Sequence, residues 1–292
     1  MLHSKGEVCM LERGKEPIVS VKVMSFNIAH GLGMNGIVDL EKTAGIIEDS
    51  CAQIVALQEV DRCFSERSAF VDQVQWLSDR LGMQAVFGAN LDLEPVEADG
   101  QRRQYGNAIL SKHPIKYSEN HLLTQVLTDF GKNEQRGILE AVIEIKGNLI
   151  TVYNTHLALE EEELKVSIGE LVGIIEKRSF PRIVLGDFNA PPRDGQIKRL
   201  NRHLSDAFLK LKRGDAYTYP APYQNAETGE NFKPVTRIDY IFADPELDPV
   251  QVAVMETDVS DHLPIAADFI VAPAQTQQQK TAQTEIPEVT VS

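Results

Sequence analysis

Six apolar runs in this chain end or begin at residues that can bind a metal ion or carry a proton. Asn27 closes VKVMSFN, Glu59 closes IVALQE, Asn154 and His156 close LITVYNTH, and Asp187 and Asn189 close RIVLGDFN. Asp239 lies in TRIDYIF, and Ser260-Asp261-His262 stands directly before PIAADFIV. Any one of these alone reads more simply as a turn-former, a helix cap or a satisfied polar group, and Asn189 in GDFNAPP fits turn chemistry ahead of a Pro-Pro break. Their recurrence at one run end after another, always with ligand or proton-transfer chemistry, reverses that reading.

Spacing adds geometry. Residues two apart on a strand face the same side, so Asn154 points with His156 and Asp187 with Asn189. Carboxylates joined by amide oxygens make a hard donor set, suited to Mg²⁺ or Mn²⁺ rather than structural zinc. Glu59, Asp187, Asp239 and Asp261 brought together would repel and raise one another's pKa, a conflict that a divalent ion resolves. The three cysteines, Cys9, Cys51 and Cys63, form no CxxC pair and no disulfide framework, and read as free thiols of a reducing compartment.

Groups scattered from Asn27 to His262 meet only if strands end at one place. Short runs rich in β-branched and apolar residues recur along the chain: VKVMSFNI, AQIVALQEV, GNAILS, GILEAVIEI, LITVYNTHL, RIVLGDFN, TRIDYIFA, QVAVMET and PIAADFIV. Their lengths and their Gly, Pro, Asn and Asp boundaries predict buried strands. Helical spacing interrupts them, with Phe70, Val74, Leu77 and Leu81 on one face and Leu164, Ile168, Leu171 and Ile175 on another. The second of these helices opens on Glu160 to Glu163 and closes toward Lys177 and Arg178, in keeping with the macrodipole; a weaker helix follows Asp39. The expected fold is α/β (α+β): a four-layer sandwich of two packed mixed β-sheets flanked by helices.

The bulk numbers narrow the class. With 292 residues, 42% of them hydrophobic, the chain can bury one large core. The stretch to Pro17 reads as a loose arm, residues 18–271 as one catalytic domain, and the Gln/Thr/Pro-rich residues 272–292 as a disordered tail. No apolar run approaches the ~18–20 residues of a membrane span, and the N-terminus lacks a signal peptide's apolar region, so the chain reads as cytoplasmic. The formal net charge of −14 argues against a dedicated binder of duplex DNA, whose affinity comes largely from neutralised phosphates.

The series SFNIAHG, ALQEVD, YGNAILSKHPI, QRGILEAVI, NTHL, GDFNAPP, RIDYIF and SDHLPI resembles the endonuclease/exonuclease/phosphatase superfamily, and does so over nearly the whole stretch from Val21 to Ile270. That family includes pancreatic-type deoxyribonuclease, abasic-site endonucleases, inositol polyphosphate 5-phosphatases and neutral sphingomyelinases. The resemblance implies a metal-dependent phosphoesterase with in-line attack by an activated water. It makes Glu59 the principal metal carboxylate, Asn27 its companion and Asp261 a neighbour of the metal. Asp187 and Asn189 match residues that position the water and the phosphate or hold a second metal. His262 matches the catalytic histidine, paired with Asp239; His156, Asn154 and Arg136 match residues that face the phosphate. Negative charge on the phosphate and its transition state is the reason such donors are needed. The histidine in NTHL argues mildly against the abasic-site branch, and no lysine-containing signature of the 5-phosphatases is present.

Substrate choice is carried by loops, not by the shared site. NLDLEPVEADGQRRQYGN brings acids and then Arg102 and Arg103, and YTYPAPYQNAETGENFKPVTR brings Tyr217, Tyr219, Tyr223 and Phe232. These aromatics suit stacking on a base, a sugar or an inositol, or equally a loop packed on itself. The leading expectation is hydrolysis of a small or lipid-linked phosphoester, the alternative a DNA or RNA endonuclease or exonuclease of repair or turnover. A catalytically silent binding protein is disfavoured by the unbroken motif series.

Overall fold

Alternation along each strand decides the layering, because successive side chains point to opposite faces. The computed structural model describes residues 12–13, 16–17, 19–98, 100–128, 131–214, 216–224 and 229–271. Apart from a ribbon pairing Glu12–Arg13 with Glu16–Pro17, the expected arm lies outside the described residues, and so does the expected tail. The elements are β1 (Val19–Asn27), α1 (Leu40–Ser50), β2 (Ile54–Arg62), α2 (Gln73–Leu81), β3 (Gln84–Leu93), β4 (Arg103–Ser111), β5 (Ile115–Leu122) and β6 (Gly137–Ile145). They continue as β7 (Asn148–His156), α3 (Glu161–Ile175), β8 (Arg182–Asp187), α4 (Gly195–Leu200), β9 (Ser205–Asp206), α5 (Ala207–Lys210), β10 (Asp239–Ala243), β11 (Pro249–Val254) and β12 (Ile265–Val271).

Two six-stranded sheets result, ordered β11-β12-β1-β2-β4-β3 and β9-β10-β8-β7-β6-β5. Both are mixed, with parallel pairing at β1–β2 and at β7–β8. Between them lies a core to which β1 gives Val21 and Val23, β7 Ile150 and Val152, β8 Ile183 and Leu185, and β12 Ala267 and Phe269. The opposite face of the first sheet packs Met24, Phe26, Val55 and Leu57 against Ile47 of α1 and Leu77 of α2. The opposite face of the second packs Tyr153, Val184 and Phe242 against Leu164, Ile168 and Leu171 of α3. This is the four-layer α/β sandwich expected, and each such fully buried side chain contributes about 1.5–3 kcal/mol of burial.

Local chemistry sets the ends. Asp39 and Asp72 cap α1 and α2 by accepting from Lys42 N and Gln75 N, and Glu160 does the same for α3 from Glu163 N. Because Asp72 starts α2, Phe70 is not on its apolar face; it lies in the preceding loop at φ 53° and is exposed. Lys177 and Arg178 fall beyond the last turn of α3, and Arg178 pairs instead with Glu140. Strands β3 and β5 went unanticipated, since both are half-exposed and lack the continuous apolar run of the inner strands.

One glycine sets the spacing below the site. Gly186 in GDFN has φ +151°, and a Cβ there would lie 2.0 Å from Thr155 O on β7. Gly186→Ala is expected to destabilise the fold by about 3 kcal/mol, combining backbone strain with a clash against backbone. A urea unfolding midpoint measures it, and an unchanged midpoint would show that the β7–β8 approach has slack.

A candidate metal and phosphate site at the strand ends

The inner face is apolar in mid-sheet and turns polar at one end. On β1 the run Val21, Val23 is continued by Ser25 and Asn27; on β8 Ile183 and Leu185 are continued by Asp187; on β10 Ile241 is preceded by Asp239. Glu59 breaks this parity. Val55 and Leu57 face outward, so strict alternation would send Glu59 outward as well. Instead the β2–β4 register shifts between Leu57 and Val60, and Glu59 takes φ 56°. Val60 rejoins the outer cluster, and the extra residue turns inward so that Glu59 Oε1 accepts from Asn27 Nδ2 at 3.0 Å. A bulge that re-aims one side chain at a site is a known use of that irregularity.

Asn154 is what holds this bulge. Its Nδ2 donates to Leu57 O (2.7 Å) and Ala108 O (2.8 Å), and its Oδ1 accepts from Gln58 Nε2 (2.7 Å). The residue is fully buried and both amide hydrogens are used, so the expectation that it faces the phosphate is corrected. It clamps the second sheet to the first beneath Glu59.

The remaining groups form a line of contacts. Asp239 Oδ2 lies 3.0 Å from His262 Nδ1, and His262 Nε2 lies 3.5 Å from Asp187 Oδ2. Asn27 Nδ2 then donates to the same Asp187 oxygen at 3.1 Å and to Glu59. His156 flanks the line, with Nε2 3.5 Å from Asp187 Oδ2 and 3.0 Å from Asn189 Nδ2. Asn189, at φ 51°, also donates to Leu157 O (2.9 Å), while its own N–H is accepted by Asp187 Oδ1 at 2.9 Å. Ser260 Oγ donates to Asn27 O (2.7 Å) and lies 3.3 Å from Asp261 Oδ1, tying the SDH segment to β1. Asn27, Asp187, Asp239, His156 and His262 are buried; Glu59, Asn189 and Asp261 reach toward the mouth.

The electrostatics follow from burial. Loss of water, then the nearby charge of Asp239, raises the Asp187 pKa. Burial opposes a charged His262, but Asp239 and Asp187 outweigh it and hold its pKa above the ordinary value. Burial, with Arg136 and His262 adding to it, holds the His156 pKa well below normal. Asp187, Asp239 and His262 present donor atoms within 4.8 Å of one another. Crowded carboxylates, one of them with a raised pKa, together with amide oxygens are a donor set that a divalent cation fits. A second group of potential ligands, Glu119, His121 and Glu140, lies on the outer face of the second sheet, where Arg178 already neutralises Glu140.

The rim holds Arg136 and the loop aromatics named from the sequence, and adds two residues that no motif singled out, Arg67 and His30. Arg136 is nearly buried, its Nη1 is 2.8 Å from Glu134 and its Nε has no partner. Arg67 pairs with the buried Asp61, and His30 follows Asn27 in a left-handed stretch. Tyr219 lies against the His262 ring at 4.8 Å, whereas Tyr223 and Phe232 stack on each other at 4.6 Å. One aromatic loop residue therefore faces the site and two serve the loop. Arg102 is taken up by Asp92 and Glu94. The Asp61–Arg67 pairing joins a strand to a later loop and carries no spacing signal.

Comparison with known proteins identifies the family and the fold. A model of the Endonuclease/Exonuclease/phosphatase family matches residues 24–262. The Escherichia coli protein YbhP is 26% identical over 265 residues, 86% of this chain and 96% of its own. An endonuclease/exonuclease/phosphatase of Beutenbergia cavernae has a solved structure similar at TM-score 0.69 and 25% identity, covering 87% of this chain and 72% of that one. A Bacteroides thetaiotaomicron mannosyl-6-phosphatase shares the fold at TM-score 0.63 and 16% identity, over 86% of this chain and 100% of its own.

Proposed function

The chain belongs to the endonuclease/exonuclease/phosphatase family, whose members hydrolyse phosphoesters, and from that premise we propose that it is a divalent-metal-dependent phosphoesterase acting on a small or lipid-linked phosphoester. The observation that carries this reading is the unbroken contact line from Asp239 through His262, Asp187 and Asn27 to Glu59. Glu59 and Asp261, with Asn27 beside them, would hold Mg²⁺ or Mn²⁺. When bound, such an ion supplies positive charge against the phosphate and favours deprotonation of the attacking water.

The chain's own groups do the rest. Asp187 and His262 Nε2 converge where a water would sit, and both are placed to orient it and take part in its proton transfer. Asp239 fixes the His262 ring through Nδ1 and leaves Nε2 for the reacting end. His156, Asn189 and Arg136 border the same space and would meet the phosphate oxygens, with charge and donors set in place beforehand. Burial of these groups excludes bulk water and strengthens each interaction.

A panel of phosphomonoesters, chromogenic diesters, phospholipids, DNA and RNA, assayed with Mg²⁺, Mn²⁺ and EDTA, tests the proposal. Metal-dependent release of phosphate or alcohol from at least one class is expected, and none from any class would end it. Binding to plain duplex DNA is expected to be weak and salt-sensitive, because the −14 charge repels a polyanion. Fluorescence anisotropy checks this; nanomolar affinity at physiological salt would favour the nuclease alternative. No helix among the described residues is long and apolar enough to cross a membrane, and the proposed place of action is the cytoplasm.

A further inference from the structure

In-line displacement requires the leaving oxygen opposite the attacking water. With the water at the Asp187–His262 end of the contact line, the leaving group departs toward Glu59. Two residues along β2 from Glu59, the buried Asp61 anchors Arg67. Its Nε and Nη2 grip Asp61 at 2.9 and 2.6 Å, and Ser68 Oγ braces the same carboxylate at 2.7 Å. Asp61 is fully buried while the Arg67 side chain is 39% exposed, so the guanidinium is anchored from below through Nε and Nη2, which leaves Nη1 outside that pairing. The Phe64 and Tyr105 rings lie 4.8 and 5.2 Å from it. Tyr105 faces Asp61 directly in the β2–β4 pairing, two residues along β2 from Glu59, which places the guanidinium beside the metal carboxylate.

His30 lies on the same side. Ala29, His30 and Gly31 all have positive φ, and Gln73 Nε2 fixes the turn by donating to His30 O at 2.8 Å. The buried Nδ1 of His30 has no hydrogen-bond partner. The same Gln73 accepts from Asp61 N at 3.0 Å through Oε1, so one side chain joins the His30 turn to the strand residue that anchors Arg67. A buried carboxylate needs a cationic partner, and that alone would explain an ion pair. It does not explain an arginine locked at the site mouth with Nη1 outside that pairing, next to a histidine whose inner nitrogen is unsatisfied.

Resting on the phosphoesterase reading, we propose that Arg67 and His30 form a second anion-binding subsite on the leaving-group side of Glu59. The preferred substrate is then a phosphoester whose leaving group carries a further anionic substituent, a phosphate or a carboxylate. Arginine suits this role because its planar fork binds such oxyanions directionally, and one already stacked and paired loses little freedom on gripping them.

Propane-1,3-diol monophosphate, its bisphosphate and 3-phosphooxypropanoate, given as monoesters or as methyl diesters if only diesters turn over, provide the test. With Mg²⁺, kcat/KM for the better of the two anionic substrates should exceed that for the monophosphate by about 10–100-fold. Whether the bisphosphate or the carboxylate gains more identifies the second anion. Arg67→Gln should bring the ratio near one, Arg67→Lys should restore part of it, and His30→Gln should lower it. The double variant Asp61→Asn/Arg67→Gln removes the stranded buried carboxylate should the single variant fail to fold. A ratio of one in the wild type, or a ratio that survives in either Gln variant of Arg67, overturns the subsite. If no phosphoester is turned over at all, the parent reading fails and the subsite falls with it.

Discussion

Glu59→Gln is expected to lower turnover about a thousandfold while leaving the fold intact. The amide is isosteric and can still accept from Asn27 Nδ2, so the 3.0 Å contact and the bulge survive. What is lost is the negative charge that Glu59 brings to the proposed cation. A loss of about 4 kcal/mol of transition-state stabilisation is the scale of one charged metal interaction, and it corresponds to about three decades in rate. Glu59 is only half-buried, so neutralising it leaves no uncompensated group in the core. Metal titration by calorimetry should show weakened binding beside an unchanged urea midpoint. Full wild-type activity in excess EDTA would overturn both this expectation and the metal-dependent reading.

Asp239→Asn should cut kcat by about 100- to 10,000-fold with metal affinity nearly unchanged, the range of a general acid–base group losing its partner. Asp239 is buried, and its backbone N–H and that of Ile238 are received by Thr218 Oγ1 at 3.4 and 3.2 Å, so the side chain has a fixed aim at His262 Nδ1. Asparagine keeps the shape but no longer supports a positive ring, and it can present an N–H where the ring needs an acceptor. The discriminating measurement is a metal titration alongside the metal-saturated turnover number. Collapse of metal affinity with turnover preserved at saturation would make Asp239 a ligand rather than a support for the histidine.

The sequence made the layered sheets legible because the inner strands are continuous apolar runs that break off at ligand-type residues, as in RIVLGDFN and TRIDYIF. Period-2 spacing put Asn154 and His156 on one face, and in the structure both continue the inward-facing run of Ile150 and Val152. The same rule misjudged Asn154: sharing a face with His156 fixes direction but not depth, and one step further into the sandwich there is protein to bind in place of substrate. Parity could not have placed Glu59, since the bulge at Leu57–Val60 is a property of the β2–β4 register. Edge strands β3 and β5 carry too little apolar signal to be read, and the bonds of Arg67 to Asp61 and of Arg237 to Asp206 join segments that no local pattern connects.

The site is divided between the two sheets. Asn27, Glu59, Asp261 and His262 ride on the first; His156, Asp187, Asn189 and Asp239 ride on the second, and the bonds Asn27–Asp187 and Asp239–His262 span the boundary. Each sheet alone carries half of the candidate site, so the distance between its groups is set by the thickness of the hydrocarbon layer beneath them, about 10 Å in such packings. The core thereby acts as a spacer gauge: Val152 and Ile183, buried between the sheets, set the spacing of the candidate site through their volume. Under denaturant or heat, separation of the two layers would silence the enzyme while each sheet still kept its own ladder of hydrogen bonds, so that activity reports on the docking of two halves rather than on the survival of either.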